Sequence, residues 1–173
     1  MPSPEEVKEL FERFAPVVHR RAATLLGNDA AAWDAVHDVM RLIIGAGAGF
    51  RKESRPMLFI FRSTTTVCLE HMRKLEAADR KKKKRPPPPP GSWVAVASTA
   101  AEQVEAPEVV RTLMRVFSKN EKVLESAVYK YVDDMSASEI AAVTGQPLKI
   151  VQRELETIRE AAEPATPGAA GGT

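Results

Sequence analysis

A helix, a sharp turn and a second helix are predicted by residues 136–158, which read SASEIAAVTGQPLKIVQRELETI. Ser136 and Glu139 have the spacing of a capping box, in which each side chain bonds the backbone N–H of the other residue. The motif also needs a small residue where the helices approach, a Gly at the turn and a branched residue in the angle between the helices. These stand at Ala141, Gly145 and Val151. The pattern is typical of a helix-turn-helix, whose second helix enters the DNA major groove, and an ordinary helical hairpin is the alternative.

The charge of the 173-residue chain is unevenly distributed, although its formal net charge is only +2. Residues 1–85 contain 17 basic and 11 acidic side chains, whereas residues 86–173 contain 8 and 12. A basic first half indicates an anionic partner, of which nucleic acid is the most common, and a solvated basic face is the alternative.

Catalytic and metal-binding chemistry is not indicated by the sequence. The single cysteine, Cys68, cannot form an internal disulfide and lies on an apolar helical stripe, as expected for a buried thiol. His19, His37 and His71 lack the spacing of metal ligands, and no Gly-rich phosphate loop is present. We therefore expect no enzyme activity, no catalytic residue, no metal, no cofactor and no small-molecule substrate. No signal peptide and no membrane-spanning run is evident, so we expect a soluble, cytoplasmic protein without a membrane partner.

The apolar periodicity predicts an all-α fold of two small helical domains. The first helix begins at the capping box Ser3–Glu6 and is expected to kink or split at Pro16. The second runs from about residue 30 to 44 with Trp33 on its apolar face, and the third from about residue 56 to 80. The apolar stripe of the third helix comprises Met57, Ile60, Phe61, Thr64, Val67, Cys68, Met72 and Leu75.

A basic, Pro-rich linker separates the two predicted domains. Residues 80–90 read RKKKKRPPPPP, and both like-charge repulsion and consecutive prolines predict an extended segment. After Pro107 come one apolar helix, a second helix opened by an expected capping box at Ser118–Glu121, and then the helix-turn-helix. The predicted boundaries are 1–82 for the first domain, 83–106 for the linker, 107–162 for the second domain and 163–173 for a disordered tail.

Four segments of the chain, in the same order and with a matching gap, resemble a known family. Residues 11–28 look like the opening helix of its region 2, and residues 33–40, WDAVHDVM, stand where it has a DLxQExF-like segment. Residues 59–74, FIFRSTTTVCLEHMRK, resemble its WLxRIxxNxxLDxLRR helix. Residues 129–151 resemble its region 4 pattern RYxxGLSxxEIAxxLGxxxGTV. The family is that of bacterial sigma factors of the extracytoplasmic-function (ECF) type, within the sigma-70 family.

The resemblance implies a protein that binds core RNA polymerase and directs it to promoters without being an enzyme itself. The first domain would recognise and open the minus-10 element, and the second would read the minus-35 element. An anti-sigma protein that holds both domains is a further expected partner. The matching segment implies Asp34, His37 and Asp38 as polymerase-binding residues, and Arg41 lies beside them. They lie at i, i+3, i+4 and i+7 on one helical face, for which an exposed face with internal ion pairs is the alternative.

The third helix and the basic run that follows it are the expected promoter-opening surface, because unstacked bases bind basic grooves and aromatic platforms. Residues 62, 65, 66, 69 and 73 lie off the apolar stripe and are expected to face DNA. Thr65-Thr66 replace the Arg-Asn often found in the family, and Phe59 replaces a Trp, with core packing as its alternative. The candidate DNA-binding residues of this domain are Phe59, Arg62, Thr65, Thr66, Arg73, Lys74, Lys81, Lys82, Lys83 and Lys84.

The expected recognition helix, residues 148–160, has a net charge of zero, whereas the family usually has a more basic helix. Its outward candidates are Lys149, Gln152, Arg153 and Glu156, of which Arg pairs with guanine, Gln with adenine and Glu with cytosine. Two alternatives to the sigma factor stay open. One is a divergent sigma-like adaptor that binds polymerase or another protein without promoter-specific initiation. The other is a helix-turn-helix repressor with a helical dimerisation domain.

Overall fold

A computed structural model describes residues 3–83 and 105–162 of the chain, and every regular element in these two ranges is an α-helix. The predicted all-α class is therefore confirmed for this part of the chain. Among the described residues, the first compact unit includes 3–83 and 142–145 and the second includes 105–141 and 146–162. The helices are α1 (Pro4–Leu26), α2 (Asp29–Ala46), α3 (Ala48–Arg51), α4 (Pro56–Lys83), α5 (Ala106–Val116), α6 (Glu121–Tyr131), α7 (Ala137–Thr144) and α8 (Leu148–Ala162).

Helix α1 begins at the predicted capping box. Glu6 N–H donates to Ser3 Oγ at 3.2 Å, and Ser3 N–H donates to a carboxylate oxygen of Glu6 at 2.7 Å. The helix continues without a break through Pro16, so the prediction that it splits there is wrong. Buried side chains on either side of the proline, Phe14 and Val18, keep both halves of the helix on the same core. Tertiary packing thus outweighs the one backbone hydrogen bond that a proline removes.

Helices α1, α2 and α4 pack against one another in the first unit. Their shared core is formed by the buried residues Val18, Ala22, Leu25, Val36, Val39, Ile43, Ile60, Cys68 and Met72. Three residues that the periodicity assigned to apolar faces lie at the surface instead, since Trp33 is 41% exposed, Met57 49% and Leu75 63%. The ring of Trp33 packs against the ring of His19, with centroids 4.5 Å apart, so one face of the exposed side chain has an aromatic neighbour.

Helix α4 is longer than the sequence predicts and extends to Lys83. The expectation that the chain is already extended from residue 80 is therefore wrong over 80–83. Lys and Arg are good helix formers, and each backbone N–H there bonds a carbonyl four residues earlier in an existing helix. The remainder of the predicted extended segment, 84–90, lies outside the described residues, as do most of the predicted linker and the whole predicted tail.

The second unit contains α5 and α6, which pack together, and α8, which packs on α6. The N-cap of α6 is Asn120, whose side chain accepts from the N–H of Val123 at 3.3 Å. The predicted capping box at Ser118–Glu121 is wrong, because the helix begins two residues later than that pattern requires. Asn is as good an N-cap as Ser, so the sequence offered two competing caps within three residues.

Candidate functional site

The turn between α7 and α8 is built as the sequence predicts. Ser136 N–H donates to Glu139 at 2.7 Å and Glu139 N–H donates to Ser136 Oγ at 3.3 Å, which completes the capping box of α7. The Ser136 hydroxyl also donates to the Glu139 carboxylate at 2.7 Å, and this bond, together with that from the Ser136 N–H, holds the pKa of Glu139 below its ordinary value. Gly145 follows α7 with a φ of 69°, in the left-handed region where glycine carries no steric penalty. Val151 is fully buried on α8.

The buried residues of α8 determine which side of the helix faces the rest of its unit. Val151 and Ile158 are buried, and so is Glu154, which retains only 8% exposure. The hydroxyl of Ser126 on α6 donates to the Glu154 carboxylate at 2.6 Å, so the buried acid has a hydrogen-bond partner. The four predicted recognition residues lie on the opposite, exposed side of α8. They are Lys149, Gln152, Arg153 and Glu156.

The exposed side of α8 carries partly compensated charge. Arg159 donates to Glu156, so that one candidate base-reading carboxylate is held by an ion pair within its own helix. Lys149 and Arg153 stand in the first half of the helix and Glu156 and Glu160 in the second. A duplex would therefore meet favourable charge at the N-terminal half of α8 and repulsion from its phosphates at the other.

The exposed face of α2 contains the predicted polymerase-binding residues. Asp34, His37 and Arg41 are exposed, and the Asp38 side chain is about two-fifths exposed. Arg41 Nη1 donates to Asp38 Oδ1 at 2.7 Å. His71, one helix away on α4, donates from Nε2 to Asp38 Oδ2 at 2.8 Å, since an ionised carboxylate can only accept. The bond from His71 is the main cause that holds the pKa of Asp38 below its ordinary value of 3.8.

Sequence reasoning missed the part that His71 plays in this face. The residue stands 33 positions after Asp38, and the sequence treats it only as a histidine without metal-ligand spacing. A half-buried histidine on α4 needs a polar partner, and Asp38 on α2 could supply one if the two helices pack side by side. The sequence alone does not show that these two helices are neighbours.

Thr65 on α4 is buried, although the sequence predicts that it faces outward to DNA. Its hydroxyl donates to the carbonyl of Phe61 at 3.0 Å, and it accepts from Arg21 of α1 at 3.2 Å. Leu69 is buried as well. The prediction that Thr65 and Leu69 face outward is wrong, because the packing of α1 on α4 covers a wider stripe than the apolar residues mark. The Arg21 guanidinium lies 4.3 Å from the centre of the Phe61 ring, which completes this covering layer.

The other candidate DNA-binding residues of α4 are more accessible. Arg62 and Thr66 are exposed, and Lys74 is exposed within an ion pair to Glu70 at 3.7 Å. Phe59 is partly buried and stacks on Phe50 at 5.5 Å, which matches its core-packing alternative in part. Arg73 is half-buried and Lys81 is exposed. The side chains of Lys82 and Lys83, and the whole of Lys84, lie outside the described residues.

Cys68 has a buried thiol in the first unit. Burial raises its pKa to about 12, so it is a thiol at neutral pH.

In the described parts of the chain, no three His, Cys, Asp or Glu residues are grouped so as to hold a metal ion. The helices within these same ranges include none with the length and apolar character needed to cross a bilayer.

Neither a protein-family model nor a curated protein matches the chain. The functional argument therefore depends on the residues and their geometry. Two surfaces carry it, namely the exposed side of α8 and the exposed face of α2 with His71.

Proposed function

We propose that this protein is a sigma factor of the ECF type, which binds bacterial core RNA polymerase and directs promoter-specific initiation of transcription. In this proposal the first domain recognises and opens the minus-10 element and the second reads the minus-35 element. The helix-turn-helix is formed by α7, the turn at Gly145 and α8. The partners are core polymerase, promoter DNA and an anti-sigma protein.

The observation that carries the proposal is the arrangement around the turn between α7 and α8. A complete capping box, a left-handed glycine and a buried Val151 occur at the spacing that the family pattern requires. The buried Ser126–Glu154 bond fixes the side of α8 that faces away from the unit. Four polar side chains able to bond base edges lie on that outward side, three of them in the N-terminal half of the helix, which enters a major groove first.

The exposed face of α2 supports the polymerase part of the proposal. Asp34, His37 and Arg41 are accessible along three successive turns, and their side chains are polar and able to pair with charged groups of a partner. Rim charges of this kind give specificity and faster association rather than large binding energy. The resemblance over residues 33–40 assigns this face to polymerase.

Co-purification with bacterial core RNA polymerase tests the polymerase part. We expect the wild-type chain to be retained and the Asp34→Arg variant to be lost, because charge reversal opposes the complementary surface without touching the core. Asp79→Arg is the matched control, since Asp79 is an exposed acid on α4 outside the α2 face. Equal retention of all three proteins would reject the assignment of the α2 face.

A sigma-like adaptor is the second candidate function, and specific observations favour it. Thr65 is buried, which removes one predicted contact to separated promoter strands. On α8, Leu148 and Ile150 are exposed at 44% and 36%, and the helix has no net charge. Exposed apolar side chains of this kind suit a protein partner better than a phosphate backbone. The adaptor predicts polymerase binding without promoter-dependent start sites.

A further inference from the structure

Both carboxylate oxygens of Asp38 are engaged within the protein. Oδ1 accepts from Arg41 at 2.7 Å and Oδ2 accepts from His71 at 2.8 Å. The bond from His71 crosses between α4 and α2, whereas the bond from Arg41 lies within α2. Asp38, which the sequence assigns to polymerase binding, therefore already accepts hydrogen bonds from two side chains of the protein itself.

Arg41 differs from Asp38 in what it offers to a partner. Its side chain is 78% exposed, and within the described ranges Asp38 is the one side chain that it bonds. A guanidinium has five N–H donors in a rigid planar fork, so the bond to Asp38 restrains its position and uses one of these donors. Such a fork matches a carboxylate in two parallel bonds, which a lysine ammonium cannot reproduce.

We propose that His71 and Asp38 are positioning residues that hold the Arg41 guanidinium for a carboxylate on the polymerase surface. This inference rests on the proposed function and corrects the role of Asp38 from direct contact to positioning. The contacting groups on the face are then Asp34, His37 and Arg41.

Histidine side chains change charge between pH 5 and 8, and an imidazolium gives a charge-assisted bond to a carboxylate, stronger than that from a neutral ring. Within four positions of the pair in the sequence, α2 also carries Asp34, His37 and Arg41, and α4 carries Glu70, Arg73 and Lys74. Helix α1 packs on both and contributes Arg21, which lies against Thr65 and Phe61.

The coupling itself can be measured without polymerase. In a pH titration by NMR on the full chain, we expect the Arg41 Nε–H signal to move with the titration of the assigned His71 ring. In Asp38→Asn and in His71→Gln the Arg41 signal is expected to stay constant over the same range. An Arg41 signal that ignores the His71 titration in the wild type, or follows pH equally in both variants, overturns the proposal.

Binding to core polymerase then tests the functional consequence. Arg41→Lys keeps the charge but loses the fork, and we expect its Kd to rise roughly tenfold or more. His71→Ala removes the donor to Asp38 and is expected to weaken binding several-fold, whereas His71→Gln keeps a donor and is expected to restore most of the affinity. Lys122→Gln, at an exposed lysine of α6, is the control whose affinity is expected to stay unchanged.

The outcomes separate this inference from the proposed function. A role of His71 in stability alone would lower the melting temperature of His71→Ala but leave its affinity for polymerase unchanged, and it would contradict the proposal. Unchanged affinity of Arg41→Lys would contradict it as well. If the wild-type chain does not bind polymerase, the proposed function fails, and the NMR titration alone decides whether His71 controls Arg41.

Discussion

The hydroxyl of Ser126 and the carboxylate of Glu154 lie 2.6 Å apart between α6 and α8, and both side chains are buried. This bond ties the helix that carries the candidate base-reading residues to the core of its unit. An acid at position 154 is tolerated there because it has a donor, since a buried carboxylate without one is costly.

Replacing Ser126 by Ala is expected to destabilise the protein, because the Glu154 carboxylate then loses its buried donor. The expected loss is about 1–3 kcal/mol in the free energy of unfolding. Urea denaturation of the full chain measures it. Ser138→Ala is the control, as Ser138 is exposed on α7, and should change stability by less than about 0.5 kcal/mol. Equal effects of the two substitutions would show that the Ser126–Glu154 bond contributes little.

Removing the charge at position 38 should change how stability responds to acid. The folded-state pKa of Asp38 is lowered, so its carboxylate contributes stability that is present above the unfolded pKa of about 3.9 and is lost as pH falls through the folded value. The stability difference between wild type and Asp38→Asn should therefore be larger at pH 5 than at pH 3. Denaturant titrations at both pH values check this, and a difference that grows towards pH 3 would contradict the assigned sign.

Cys68 is expected to be unreactive in the folded protein. Its pKa of about 12 and complete burial leave almost no accessible thiolate at pH 8. Labelling by a chromogenic disulfide reagent should be slow in buffer and should become rapid and stoichiometric in denaturing urea. Fast labelling of the native protein would mean that the α1–α2–α4 core opens readily.

The basic run should bind DNA through phosphates rather than bases. Changing Lys81, Lys82, Lys83 and Lys84 to Gln is expected to weaken binding equally for unrelated sequences, because phosphate contacts carry no sequence information. The slope of log affinity against log salt should flatten by up to about 3 to 4 for four lost contacts. The charge-matched control changes four exposed lysines elsewhere, namely Lys8, Lys52, Lys119 and Lys122. A loss confined to one promoter sequence, or an equal loss in the control, would contradict the assignment.

Local signals in the sequence predicted the parts of the fold that local bonds determine. The capping boxes at Ser3 and Ser136 and the turn at Gly145 depend on residues within a few positions of each other, and the structure contains all three. The cap at Asn120 was missed because Ser118 competes with it at nearly equal preference.

Contacts between helices explain the differences on the candidate surfaces. The burial of Thr65 depends on Arg21 from α1, and the engagement of Asp38 depends on His71 from α4. Each pair is separated by more than 30 positions, so the periodicity of one helix says nothing about it. Trp33 is exposed for a similar reason, because α1 offers it the His19 ring at the surface rather than a place in the core.

Transcription from a promoter library by core RNA polymerase supplemented with this protein tests the central claim most directly. We predict a defined set of start sites, absent with core enzyme alone and preceded by two shared sequence blocks at promoter spacing. Asp34→Arg should abolish these start sites, whereas Asp79→Arg should keep them. Polymerase that binds the wild-type chain yet initiates at no new site would contradict the sigma-factor account and favour the adaptor.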